Sequence, residues 1–414
     1  MKQRRQALLL LAALAVITFL DRISIASAGP RIQADLHISA EQWGWVLGAF
    51  ILAYGLFEVP TGAMGDRKGP QGVLTRIVLW WSAFTALTGA ASGFAPLVTI
   101  RFLFGAGEAG AYPNMAGVVA RWFPAAERAQ AQGFIWAASR FGGALAPLLV
   151  VPLQMWIGWR WTFVVFGFIG VAWTIAWRTW WRNLRAGDPS GGAATGKVAP
   201  AHSRTPWSEL FRQPQLWLIF VMYFCYAWGS WFFFGWFPTW LVKGAGFSEA
   251  EMGIYSALPF LLGTAGNIAG GFLSDRMVAS FGLKRARRLV GCGSLVISSL
   301  LLIGMTLTHQ RAAVVTLSSL GFGVADLMLP TAWALCLDIG GEHAGVVTGV
   351  MNSAGQFGGF VCAIVFGYVV QATGNYNVPL WGVAGMVMLA ALLFTRIDAS
   401  RPLFGRALHT SAQH

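Results

Sequence analysis

Between Val98 and Arg121 the chain reads VTIRFLFGAGEAGAYPNMAGVVAR, long and apolar enough to cross a bilayer yet carrying an arginine and a glutamate inside. A spanning helix takes about 20 apolar residues, and a charge near its centre costs roughly 2.5–3.5 kcal/mol on insertion scales. Arg101 and Glu108 are seven residues, or two helical turns, apart and so look out of one face. Gly105, Gly107 and Gly110 lie beside them, letting neighbouring backbone approach closely. That face is expected to point into a polar cavity between helices, which the rest of the chain must build.

Eleven further segments can span. The full set is 6–29, 43–64, 73–95, 97–121, 131–154, 159–181, 214–241, 250–273, 289–307, 311–336, 344–370 and 377–396. Only 11% of residues are charged, against about 25% in soluble domains. The net charge of +13 resembles that of a nucleic-acid binder, but its placement points elsewhere. With the N-terminus inside, 22 Lys and Arg fall on the cytoplasmic side and four (Arg31, Arg160, Lys243, Arg311) on the other. Arg22, Arg101 and Arg140 remain in the membrane. This bias obeys the positive-inside rule with both termini cytoplasmic, in a cell (inner) membrane, and excludes nucleic acid as the partner. The first segment resembles a secretory signal, but Asp21-Arg22 interrupts it and eleven spans follow, so an uncleaved helix is expected.

Cys225, Cys292, Cys336 and Cys362 lie in spans without CxxC spacing, so no disulfide framework or metal site is indicated. HExxH, P-loop and GxSxG motifs are absent, and His37, His202, His309, His343, His409 and His414 fall in loops, helix ends or tails. Enzymatic chemistry and a cofactor are not expected.

Two Gly-x-x-x-Asp-Arg stretches, ending in Asp66-Arg67 and Asp275-Arg276, recur 209 residues apart. Each closes the second helix of a six-helix half, which is the signature of a parallel internal repeat. The expected fold is an all-α membrane protein of twelve transmembrane helices in two pseudo-symmetric six-helix bundles. Residues 1–182 form the first bundle, 183–213 a cytoplasmic linker rich in Gly, Ala, Pro and Ser, and 214–414 the second bundle with a short cytoplasmic tail.

The duplicated loop with twelve spans resembles the major facilitator superfamily. YGLFEVPTGAMGDRKGP from Tyr54, RFLFGAGEAGAYPNMAGVVARWFPAAERAQAQG from Arg101 and DIGGEHAGVVTGVMNSAGQFGG from Asp338 narrow the resemblance to the anion:cation symporter family, which contains proton-coupled importers of sugar acids such as galactonate and hexuronates. The resemblance implies that Arg22 contacts a substrate carboxylate, that Asp21 and Glu108 carry protons beside Arg101, and that Tyr54 and Asn352 bind substrate. Where such relatives carry an amide on the fifth helix, this chain has Ser139 and Arg140.

The residues support this independently. Arg22 offers a permanently charged planar fork matched to a carboxylate. Glu108, poised between burial and a nearby arginine, can exchange protons. Arg140 is a second cation favouring an anion, including one with two charges, unless it pairs with Asp326 or Glu58. Tyr226, in the aromatic run Tyr223 to Phe237, has a polar tip that can reach a substrate hydroxyl; most of that run is expected to face lipid or pack. Asn352 and Gln356, four residues apart, form a polar stripe among glycines. Asp66, Arg67, Asp275 and Arg276 are assigned to a conformational latch. The expected function is import of a small organic anion, a sugar acid or similar carboxylate, by proton symport through alternating access, in a monomer. An uncoupled anion uniporter or exchanger is the alternative.

Overall fold

The computed structural model describes residues 2–123, 125–187 and 207–403, with helices as its regular elements. Twelve spans follow in order: Lys2–Ser27; Ala40–Lys68; Pro70–Thr88; Phe94–Glu108 with Ala111–Trp122; Ala125–Ile157; Trp159–Gly187; Pro214–Trp231 running through Phe232–Trp236 into Phe237–Lys243; Glu249–Tyr255 with Leu258–Phe281; Leu283–Leu307; Arg311–Ala325 with Met328–Gly340; Ala344–Thr373; and Val378–Phe394. Among the described residues, eight have the length and hydropathy of a span on their own. The third and twelfth are short, and the fourth is broken into two helices. The sixth span runs to Gly187, and a short helix, Trp207–Phe211, precedes the seventh; residues 188–206 of the expected linker lie outside the described residues.

Local chemistry sets the ends. Ser39 with Gln42 and Ser248 with Glu251 form reciprocal capping boxes that satisfy the first amides of the second and eighth spans. Gly69 (φ 85°) and Gly282 (φ 76°) turn the chain after those spans, a conformation that favours glycine. The paired devices repeat the sequence duplication in three dimensions, giving two six-helix bundles.

The second halves of two spans restart after a break at equivalent places. In the fourth, the first helix stops at Glu108 and Gly110 adopts φ 85°. In the tenth, the helix stops at Ala325 with Asp326 as its cap. The continuous fourth helix expected from the sequence is therefore two helices.

The bundles meet along the second and eleventh spans. Ideal Cβ atoms on Gly44 and Gly367 would lie 2.6 Å from the Ala363 carbonyl and 2.5 Å from the Ala40 carbonyl, respectively, so close approach depends on glycine. The contact continues through Gly48 with Phe360 and Gly55 with Gln356 to Glu58 with Asn352. At the end opposite the termini, Arg31 is ion-paired with Glu249, Gln33 bonds Thr239 (3.3 Å), and Lys243 donates to Gln33 (3.0 Å). Toward the termini, Asn352 donates to Glu58 (3.2 Å) and the Trp136 and Trp333 rings meet (6.1 Å) across the bundles. The Arg31–Glu249, Gln33–Thr239 and Lys243–Gln33 ties close the end opposite the termini.

Candidate functional site

The first span carries Arg22 to the middle of this interface. Its Nε donates to Glu108 Oε1 (3.0 Å), and its terminal nitrogen is ion-paired with the same oxygen. The guanidinium stands over the rings of Phe19 (5.0 Å), Phe50 (5.2 Å) and Tyr54 (4.8 Å), each a modest cation–π attraction. Glu108 ends a helix, where the negative end of the dipole disfavours another negative charge; Arg22 offsets it. Its second oxygen, though buried, has no hydrogen-bond partner among the described residues.

Arg101 does not take Glu108 as its ion-pair partner. It lies over Phe50 (4.9 Å) and Phe104 (4.6 Å), with a buried, unpartnered Nε. Arg22 and Arg101 line one small cavity between the bundles, closed from the other side by Trp231, Phe234 and Ala363. Asp21 is buried beside them, within electrostatic reach of Glu108 and Arg101. Its carboxylate faces the buried Trp81 indole N–H, a donor beside an acceptor whose geometry falls short of a full hydrogen bond. Buried polar groups are normally satisfied, and here Glu108 Oε2 and Arg101 Nε, both beside the cavity, have no partner among the described residues.

A second cluster faces it. Arg140 of the fifth span is ion-paired with Asp326 of the tenth (3.2 Å), joining the two bundles. Asp326 also accepts from Tyr226 (2.7 Å) and Asn267 (2.9 Å). Tyr226, expected to reach substrate, is thus spent on Asp326 in this state, and Arg140 makes the pairing that the sequence left open. Trp136, one turn before Arg140, stacks on Tyr112 at 4.6 Å, and Tyr112 is fixed by Ser139 (2.6 Å).

Tyr54 is buried under Arg22. Asn352 donates to Glu58 (3.2 Å) across the bundles, while Gln356 keeps an unpartnered buried oxygen. The aromatic run of the seventh span packs inward, with Phe232, Phe233, Trp236 and Phe237 all buried. Part of it, Phe232–Trp236, is π-helical, a distortion common at functional sites, and it presents Phe234 to both clusters through Phe19 (6.2 Å) and Arg140 (5.5 Å).

The latch residues lie apart from this centre. Arg67 and Arg276 are exposed, and Asp275 contacts Arg287 (3.5 Å) of its own bundle. The Asp66 side chain lies outside the described residues. Sequence reasoning passed over Asn267, an amide among glycines like Asn352, which that same signal could have found. It also passed over the Arg31–Glu249 tie, whose partners are 218 residues apart and carry no joint pattern.

Two helical bundles around charged side chains buried at their interface define a membrane transporter, not an enzyme. The chain belongs to the Major Facilitator Superfamily, whose model matches residues 11–363, and its likenesses lie in the anion:cation symporter branch. It is 32% identical over 99% of its length, and 98% of the relative's, to a probable sulfoacetate transporter, SauU, of Cupriavidus necator. It is 29% identical to a hexuronate transporter of Bacillus subtilis, covering 100% and 98% of the two chains. A probable L-galactonate transporter of Escherichia coli shares 30% over 94% of this chain and 87% of its own. The fold also resembles a solved bacterial homolog of the human lysosomal transporter Spinster in an inward-facing, occupied conformation (TM-score 0.81, 18% identity, 96% and 97% covered).

Proposed function

We propose that this protein imports a small organic anion, a sugar acid or similar carboxylate, by proton symport. One observation carries the reading: Arg22, the cation suited to hold the anion, is occupied by Glu108, an acid with an unpartnered oxygen beside the inter-bundle cavity. An anion can take Arg22 only when Glu108 releases it, and a proton on Glu108 does that without leaving a bare charge in the membrane. Asp21, next to Arg101, is the second proton carrier. Tyr54, Asn352 and Gln356 border the path of the anion along the second and eleventh spans.

With both termini in the cytoplasm of a cell (inner) membrane, the end closed by Arg31–Glu249 faces outward. Protons and anion enter from outside, the bundles formed by 1–182 and 214–414 rock about the interface while 183–213 links them, and proton loss to the cytoplasm returns Glu108 to Arg22, expelling the anion. Asp66-Arg67 and Asp275-Arg276, at the inner ends of the second and eighth spans, close that end when the bundles rock outward-facing. The substrates for which the relatives are named, sulfoacetate, hexuronate and L-galactonate, are all small anions, and one chain suffices for the cycle.

The test is uptake into proteoliposomes of the full chain with an alkaline interior, using labelled galactonate, galacturonate and sulfoacetate. Symport gives accumulation above equilibrium that an uncoupler abolishes. Equilibration alone, or uptake that follows only a trapped counter-anion, would establish the uniporter or exchanger instead.

A further inference from the structure

The fourth and tenth spans break at equivalent points, and an acid stands at each break: Glu108 at the end of Phe94–Glu108 and Asp326 capping Arg311–Ala325. Each acid sits at the negative end of a helix dipole, and each is held by an arginine of the first bundle, Glu108 by Arg22 and Asp326 by Arg140. The second pair differs in one respect. Asp326 is saturated by Tyr226 and Asn267 as well as by the ion pair, whereas Arg140 makes no hydrogen bond among the described residues and only a 3.2 Å charge contact. Its guanidinium, on a side chain only 11% exposed, gives one terminal nitrogen to Asp326 and faces the rings of Phe234 and Phe322, which leaves further N–H donors available. The two arginines flank the Phe19–Phe234 ring pair, and Tyr112 lies within electrostatic reach of both.

We propose that Arg140 is a second anion subsite guarded by Asp326, and that the substrate is a compact dianion whose two acid groups bridge Arg22 and Arg140. The inference rests on the function proposed above. A second acid group that bonds Arg140 displaces Asp326, which takes a proton while keeping Tyr226 and Asn267, so charge at that end is conserved. The groups facing Asp326 are Arg140, Tyr226, Tyr223 and Asn267, none of which is a competing acid. Phe19, Phe50, Phe234 and Phe322 stand against the two arginines, which favours a short molecule with acid groups at both ends.

The test is calorimetric binding to the purified full-length protein with succinate and sulfoacetate as two-acid probes and galactonate and methanesulfonate as one-acid probes. The two-acid probes should bind at least about tenfold more tightly, the advantage of one further charge-assisted hydrogen bond. Arg140→Gln should erase that advantage. Asp326→Asn should raise affinity for the two-acid probes about tenfold and flatten its pH dependence, without a matching gain for galactonate; a misfolded variant cannot produce such a gain. No preference in the wild type, or a loss in Asp326→Asn that is equal for both probe classes, would reduce the pair to a strap between bundles. If instead Arg22→Ala leaves all binding intact, the function proposed above fails, and this subsite with it.

Discussion

Replacing Glu108 by Gln changes one charge and almost no volume at the point where anion and proton compete. In the structure Glu108 accepts from two nitrogens of Arg22 and is fully buried. A charge-assisted hydrogen bond contributes roughly 1.5–3 kcal/mol, so an incoming anion must overcome at least that much to take Arg22 from an ionised Glu108. An amide competes far less, and the affinity of Glu108→Gln for the anion should rise by about 10- to 100-fold. The sign with pH follows: acid protonates Glu108 and frees Arg22, so wild-type affinity strengthens as pH falls, by at most about tenfold per unit for one proton. In Glu108→Gln that slope should shrink to whatever the other acids contribute. Loss of a partner from a buried pair costs about 3–5 kcal/mol, but the three rings under Arg22 at 4.8–5.2 Å and the amide oxygen retain part of it, so the variant should fold. Calorimetry across pH measures affinity, and proteoliposomes separate two fluxes: proton-driven accumulation should vanish while anion counterflow persists. Uncoupler-sensitive accumulation at the wild-type level, or an unchanged pH slope, would remove Glu108 from coupling.

Arg22→Ala should eliminate anion binding; a normal dissociation constant in calorimetry would discard this substrate site. Arg31→Ala removes the tie to Glu249 and the bond to the Gln154 carbonyl (2.9 Å) at the closed end; a partly exposed pair (33% and 29%) contributes up to about 1 kcal/mol, so spin-label distances across that end should show the population open there rising several-fold. Gly44→Val places a Cβ 2.6 Å from the Ala363 carbonyl, so the observed packing of the second and eleventh spans cannot form; cysteine labelling beyond Gly44 should show that end open and transport lost, and wild-type flux would refute the contact.

Much of the architecture is written in the chain because the bilayer imposes it. Apolar runs of spanning length, the sided arginines and lysines, and the doubled Gly-x-x-x-Asp-Arg stretch lead to twelve helices in two halves, since lipid leaves a spanning backbone no partner but itself. The cost of an intramembrane charge likewise singles out Asp21, Arg22, Arg101, Glu108 and Arg140 before any coordinates are known. Which acid meets which arginine is another matter. Spacing along one helix sets Arg101 and Glu108 on a common face, yet Glu108 pairs with Arg22, 86 residues away, because the turn at Gly110 ends its helix and the first span lies alongside. Arg140 could have met Glu58 or Asp326, and only the packing of the fifth span against the second bundle chose Asp326. Helix identity is a local property of composition, whereas pairing across an interface depends on how whole bundles are placed, and no stretch of sequence contains that distance.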